Sequence, residues 1–123
     1  MPYEMKWEER GVYSRFFGVV TGEDVLAHAK RIGNDPRVSK LSYQISDFTA
    51  IEDHTVKRSD VLFAAATDSV LKSVPLAVIY SQQRPEDLEL IELHRSSPLM
   101  KSRPMRFFTN EQEARAWLGA IAC

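Results

Sequence analysis

The stretch LSYQISDFTAIEDHT, residues 41–55, decides the fold. Leu41, Tyr43 and Ile45 alternate with polar residues, which is the period-2 pattern of a strand, and Asp47 is a turn-forming residue at its end. Asp53, His54 and Thr55 come just before a run with helical character. The stretch reads as a central strand over 41–46 that delivers a polar loop onto the start of a long helix. In an open α/β sheet, ligands and switches sit at the carboxyl ends of strands, in the loops that lead into helices. Asp47, Thr49, Asp53, His54 and Thr55 are therefore the candidate residues for binding a partner or a ligand.

Upstream, Tyr3, Met5 and Trp7 alternate with Glu4, Lys6 and Glu8, a strand with one wet face. Arg10 and Gly11 turn the chain into Val12 to Val20, rich in aromatic and β-branched residues, so the two runs predict an antiparallel hairpin. Gly18 inside the second run marks a bulge or a close backbone approach. Thr21, with Asp24 three residues on, is the capped start of a helix that Gly33 to Pro36 ends. Its inner face is Val25, Leu26, Ala29 and Ile32, with His28 on the outer side. A parallel crossover through that helix leads to the central strand.

Downstream, Thr55 or Asp53 caps a helix extending to about Lys72, with Leu62, Ala65, Ala66 and Val70 facing inward. PLAVIYS, residues 75–81, is a continuous apolar run of the kind found in a strand covered on both faces. Arg84 to Arg95 reads as a helix with Pro85 in its first turn and a wide apolar arc through Leu88, Leu90, Ile91 and Leu93. Met105 to Thr109 is the last strand. Asn110 caps a final helix whose stripe is Ala114, Trp117, Leu118 and Ile121.

The order is a β-hairpin followed by alternating helices and strands, an α/β layer fold with a mostly parallel sheet. At 123 residues the chain suits one domain, 1–123, with no repeat or linker to divide it. A net charge of -1 with mixed signs gives no electrostatic footprint for nucleic acid. The longest apolar run, Leu76 to Tyr80, is too short to span a bilayer. The opening residues lack the apolar stretch of a secretory signal, and Cys123 is the only cysteine, which together predict a cytoplasmic protein.

Four phrases, in this order and spacing, resemble the SpoIIAA-like family, a STAS-like fold of anti-sigma-factor antagonists found as small bacterial proteins. They are GVVTGEDV at 18–25, SDFTAIEDHT at 46–55, PLAVIYS at 75–81 and RFFTNEQEARAWL at 106–118. The resemblance runs from about Tyr3 to Leu118. It implies a single layer of about five mostly parallel strands with an N-terminal hairpin and about four helices, packed mainly on one face. It also implies a non-enzymatic regulatory module that binds a protein partner, while a neighbouring lipid-transfer fold holds an apolar ligand. A phosphorylatable STAS module carries its acceptor serine at the start of the helix after the central strand. Here the matching place holds Asp53, His54, Thr55 and Val56, with neither that serine nor the following glycine, so Thr55 is the candidate phosphoacceptor. The plainer reading of Thr55 is a helix cap worth about 1 kcal/mol.

Asp47, Glu52, Asp53 and His54 put carboxylates beside an imidazole, but from one loop only, and Asp47 is better read as a turn residue than as a metal ligand. There is no nucleophile elbow, and the five glycines form neither a P-loop nor a dinucleotide fingerprint, so no cofactor is expected. HRSSPLMKSRPMR, residues 94–106, gathers Arg95, Lys101, Arg103 and Arg106, and reads most simply as a solvated loop. Two functions follow. The first is a regulatory interaction module acting through 47–55 and nearby helix faces. The second is a carrier of a small apolar or acyl ligand between the sheet and the helices at 55–72 and 84–95, motivated by Phe63, Leu71, Leu90 and Leu93 lying off the main stripes. The leucine arc at 88–93 makes a homodimer plausible for either.

Overall fold

The computed structural model describes residues 2–121, and Cys123, the sole cysteine, lies outside them. Strands β1 (Tyr3–Trp7), β2 (Gly11–Val20), β3 (Tyr43–His54), β4 (Leu76–Ile79) and β5 (Met105–Phe108) form one sheet in sequence order. β1 and β2 are the expected antiparallel hairpin, and each later strand is parallel to its predecessor. The helices are α1 (Gly22–Gly33), α2 (Arg58–Thr67), α3 (Asp87–Ser96) and α4 (Glu111–Ile121), with short 3₁₀ turns at Pro36–Lys40 and Asp68–Leu71.

Strand alternation sends the side chains of β3 and β4 to two faces. Ile45, Ala77 and Ile79 pack against Ala114 and Leu118 of α4, while Leu76, Val78 and Met105 face the other way, toward Phe48 and Ile91 of α3. α1 joins that second side through Ile32, which packs with Val12, Leu71 and Val74. Three helices thus cover one face and one covers the other. β4 is buried at all four positions, as its unbroken apolar run requires.

α1 starts where expected. Thr21 Oγ1 accepts from the Asp24 backbone N–H at 3.2 Å, and Asp24 accepts in return from the Thr21 backbone N–H at 2.8 Å. α4 is capped by Asn110, whose side chain accepts from the Glu113 backbone N–H at 2.8 Å. Ile121, assigned above to the inner stripe of α4, is instead 44% exposed at the helix end.

β3 departs most from expectation. It continues through Asp47 to His54, so the segment read as a loop is strand. β2 supplies the partner, because it too is long and pairs with β3 as far as Val20 and His54. Between the pairs Arg15–Asp47 and Phe17–Ala50, β3 advances one residue more than β2, and it does so again between Gly18–Ile51 and Val19–Asp53. These bulges bend the pair, and Gly18, at φ +67, occupies the left-handed region beside the second of them. Gly18→Ala is therefore expected to lower stability by roughly 1–2 kcal/mol, measured by urea unfolding.

α2 also differs. Its N-cap position is Lys57, with the Asp60 carboxylate accepting from the Lys57 N–H at 2.8 Å, so neither Thr55 nor Asp53 caps it. It ends at Thr67 and tightens into a 3₁₀ turn. Val61, Ala64 and Ala65 face inward, whereas Leu62, Ala66 and Val70, the expected inner residues apart from Ala65, are exposed. With apolar residues all round this helix, periodicity did not single out a face. α3 begins at Asp87, two residues after Pro85.

Candidate functional site

The inner face of α1 is Val25, His28, Ala29 and Ile32, the full i, i+3, i+4, i+7 stripe. His28, expected on the outer side, is buried, and its Nε2 lies 2.7 Å from Ser14 Oγ. Edge contacts with the rings of Tyr3 and Phe16 hold the imidazole in place. Burial pushes its pKa down to about 4, an effect that the nearby Asp68 opposes and Arg31 reinforces. The imidazole is neutral at pH 7.

Below His28 the sheet presents an unusual floor. Ser14 pairs in register with Ser46, and both are buried together with Gln44 on the side that faces α1, α2 and α3. Gln44 and Ser46 of this floor line a cavity of about 140 Å³, while Ser14 lies against His28. Phe16, Val20, Phe48, Val61, Ala64 and Ile91 supply apolar wall. An engineered cavity of roughly 150 Å³ accommodates benzene, so this one has room for about a ring or a short acyl chain. All three histidines of the chain border it.

At the Gln44 end sits Arg103, only 4% exposed. Its Nε donates to the Val74 carbonyl and one Nη donates to Gln44 Oε1, each at 2.7 Å. Burial lowers its pKa to about 10, so it remains charged at pH 7. The basic segment is thus not merely a solvated loop: Lys101, Arg95 and Arg106 are exposed, but Ser97, Met100 and Arg103 are buried. Nearby, His94 Nε2 lies 3.0 Å from Asp68 Oδ2.

The five residues singled out in 47–55 are divided by the sheet. Asp47 is buried and accepts from the Tyr13 hydroxyl, from the Thr49 N–H at 2.9 Å and from the Thr49 hydroxyl at 2.6 Å. Tyr13 belongs to the α4 side, where desolvation first and Asp47 second push its hydroxyl pKa up. Asp47 therefore ties β3 to β2 at the bulge. Asp53 and Thr55 are exposed. Of the five, only His54 borders the cavity. Its Nδ1 accepts from the Val56 N–H at 3.1 Å, which leaves the proton on Nε2, 3.5 Å from Asp87 Oδ1. Arg84 completes this rim by donating to Asp87 at 3.0 Å and to the Glu52 carbonyl at 2.8 Å.

Of the four apolar residues that motivated a carrier, only Leu90 borders the cavity. Phe63 is exposed and Leu71 packs with Val12 and Ile32. Among the described residues, no group of three or more His, Cys, Asp or Glu side chains is placed to hold a metal, and no helix is long and apolar enough to cross a membrane.

No protein-family model matches the chain, and no curated protein matches it. A crystal structure of an uncharacterised DUF3478-family protein with a SpoIIAA-like fold, from Shewanella loihica, is similar over 94% of this chain and 91% of its own, with a TM-score of 0.59 and 13% identity. The fold is thus an α/β arrangement of the STAS or SpoIIAA-like kind, with a five-stranded mixed sheet, an N-terminal hairpin and four helices.

Proposed function

We propose that this SpoIIAA-like fold serves as a small non-enzymatic binding module that holds a small, largely apolar molecule between the sheet and helices α1, α2 and α3. The observation that carries this reading is the cavity itself. It is walled by Phe16, Val20, Phe48, Val61 and Ile91, yet floored by the buried polar side chains Gln44 and Ser46. Ligand sites characteristically join an apolar lining to a few convergent polar groups. A sheet face that needed only to pack against helices would carry Val, Ile or Leu there, since each contributes roughly 1.5–3 kcal/mol on burial.

Native mass spectrometry of the protein purified from its own cells tests this. The expected result is a near-stoichiometric added mass of an apolar species that is lost on denaturation. A bare chain that also takes up no short-chain alcohol or acid would contradict it.

A second reading, a protein-interaction module, draws on Leu62, Phe63 and Val70, which lie 48%, 65% and 62% exposed on and just after α2. Leu62 and Phe63 fall a few residues beyond Thr55, so a partner that covers this helix would also meet the exposed end of 47–55. Phosphate on Thr55 would then act on that partner's approach by adding charge, without the support of a helix terminus. Co-purification of one protein, lost on Phe63→Ser with the fold intact, would favour this reading over the first.

A further inference from the structure

We propose that the cavity selects amphiphiles with an anionic head, a short-chain carboxylate being the chemistry that fits, and that Arg103 receives the head. The inference rests on the binding reading above and names the class of molecule bound.

The argument starts from the charge. A guanidinium has five N–H donors and no means of losing its charge at neutral pH. Arg103 spends Nε on the Val74 carbonyl and Nη2 on Gln44 Oε1, both neutral acceptors. Its Nη1 takes no hydrogen bond among the described residues, and no carboxylate there pairs with it. Asp68, the acidic group that acts on it through space, is already engaged at 3.0 Å by His94. A buried cation without a counter-charge is costly, and a structural arginine normally meets a carboxylate. Here Arg103 borders a cavity whose wall is otherwise apolar except for Gln44, Ser46, the three histidines and two carboxylates, and those carboxylates are already engaged, Asp68 by His94 and Asp87 by Arg84. A carboxylate entering there would accept a charge-assisted hydrogen bond from Nη1 while its alkyl chain lay along Leu76, Val78 and Ile91. The cavity volume limits the enclosed part to about the size of a six-membered ring.

Without the cation the preference would run the other way, because an apolar pocket penalises an ion far more than an alcohol. The test is therefore calorimetric titration of the intact protein with hexanoate and with 1-hexanol at pH 7.5. The expected result is hexanoate binding at least about tenfold tighter, the scale of one charge-assisted hydrogen bond. In Arg103→Met the acid should bind no better than the alcohol, while Arg103→Lys, which keeps the charge but not the fork, should restore part of the preference. A merely structural arginine would lower the melting temperature of both variants without touching the acid-to-alcohol ratio.

Equal binding of acid and alcohol to the unmodified protein overturns the head-group assignment and leaves the pocket reading standing. A preference that survives in folded Arg103→Met overturns the assignment to Arg103. Saturable binding of neither probe overturns both. The unmodified protein alone decides the first and last outcomes, so an unfolded variant does not block the test.

Discussion

Lowering the pH from 6.5 to 4 is expected to remove about 3 kcal/mol of stability through His28 alone. In the folded chain its pKa is held down to about 4 by burial, whereas an exposed histidine in the unfolded chain titrates near 6.5. Between those values the unfolded state takes up a proton that the folded state refuses. Stability is therefore complete above about pH 6.5 and falls as the pH drops through that window. Charging the ring would also force Nε2 to act as a donor to Ser14 Oγ, 2.7 Å away, inside a wall formed by Tyr3 and Phe16. His28→Phe keeps an aromatic ring against those neighbours and removes the titration. It should cost about 1 kcal/mol near pH 7, where the imidazole is neutral, by leaving Ser14 without its partner, yet show a much shallower loss between pH 6.5 and 4.5. Urea unfolding across that range measures both slopes, and parallel curves would show that His28 is not the group responsible.

The second large effect is expected from filling the cavity. Ala64, on the inner face of α2, is 3% exposed and borders the space directly. Ala64→Phe projects a ring into the volume a ligand would occupy, and uptake of hexanoate or 1-hexanol should fall by roughly a hundredfold or more. That is the loss expected when about 3 kcal/mol of apolar contact is denied. Because the ring enters existing space, the stability cost should stay at or below the roughly 1–3 kcal/mol typical of overpacking. The variant should therefore remain folded by circular dichroism. Val61→Phe, one helical turn earlier on the same face, is the control: it should block uptake in the same way. Undiminished uptake by both variants would place the ligand elsewhere.

Much of the architecture was legible because local rules and tertiary packing agree. The Thr21–Asp24 capping box, the unbroken apolar run of β4 and the Asn110 cap each name their element from a few residues, and all three are present. The hairpin followed by parallel strands came from the order of elements, and the bulge at Gly18 from one glycine in a strand. The length of β3 was not legible, because Asp47 is a turn residue by composition. Its carboxylate is instead satisfied across the sheet by Tyr13, 34 residues away in sequence, and by Thr49.

The candidate site was located only in part, for a related reason. His54 was identified and borders the cavity, but Asp47 and Thr49 lie on the α4 side and Asp53 and Thr55 on the surface. Ser14, Ser46 and Gln44 look like the wet face of an alternating strand, and nothing local says that three helices cover that face. A signal did exist. A central strand of a sheet layered on both sides should not alternate with polar residues, so Gln44 and Ser46 in β3 already marked a face that packing alone would have made apolar. His28 carried a similar signal, since it completes the stripe of Val25, Ala29 and Ile32. Arg103 gave none: its burial depends on Val74 and Gln44, 29 and 59 residues away.

The central claim is that a small molecule binds between the sheet and α1, α2 and α3, and the most direct test is amide chemical-shift mapping of the ¹⁵N-labelled protein titrated with 1-hexanol. The account predicts saturable shifts at Ser46, Val61, Ala64 and Ile91, with Ala114 and Leu118 on the opposite face unmoved. Shifts confined to the exposed surface at Leu62 and Phe63, or to the α4 face, would contradict it.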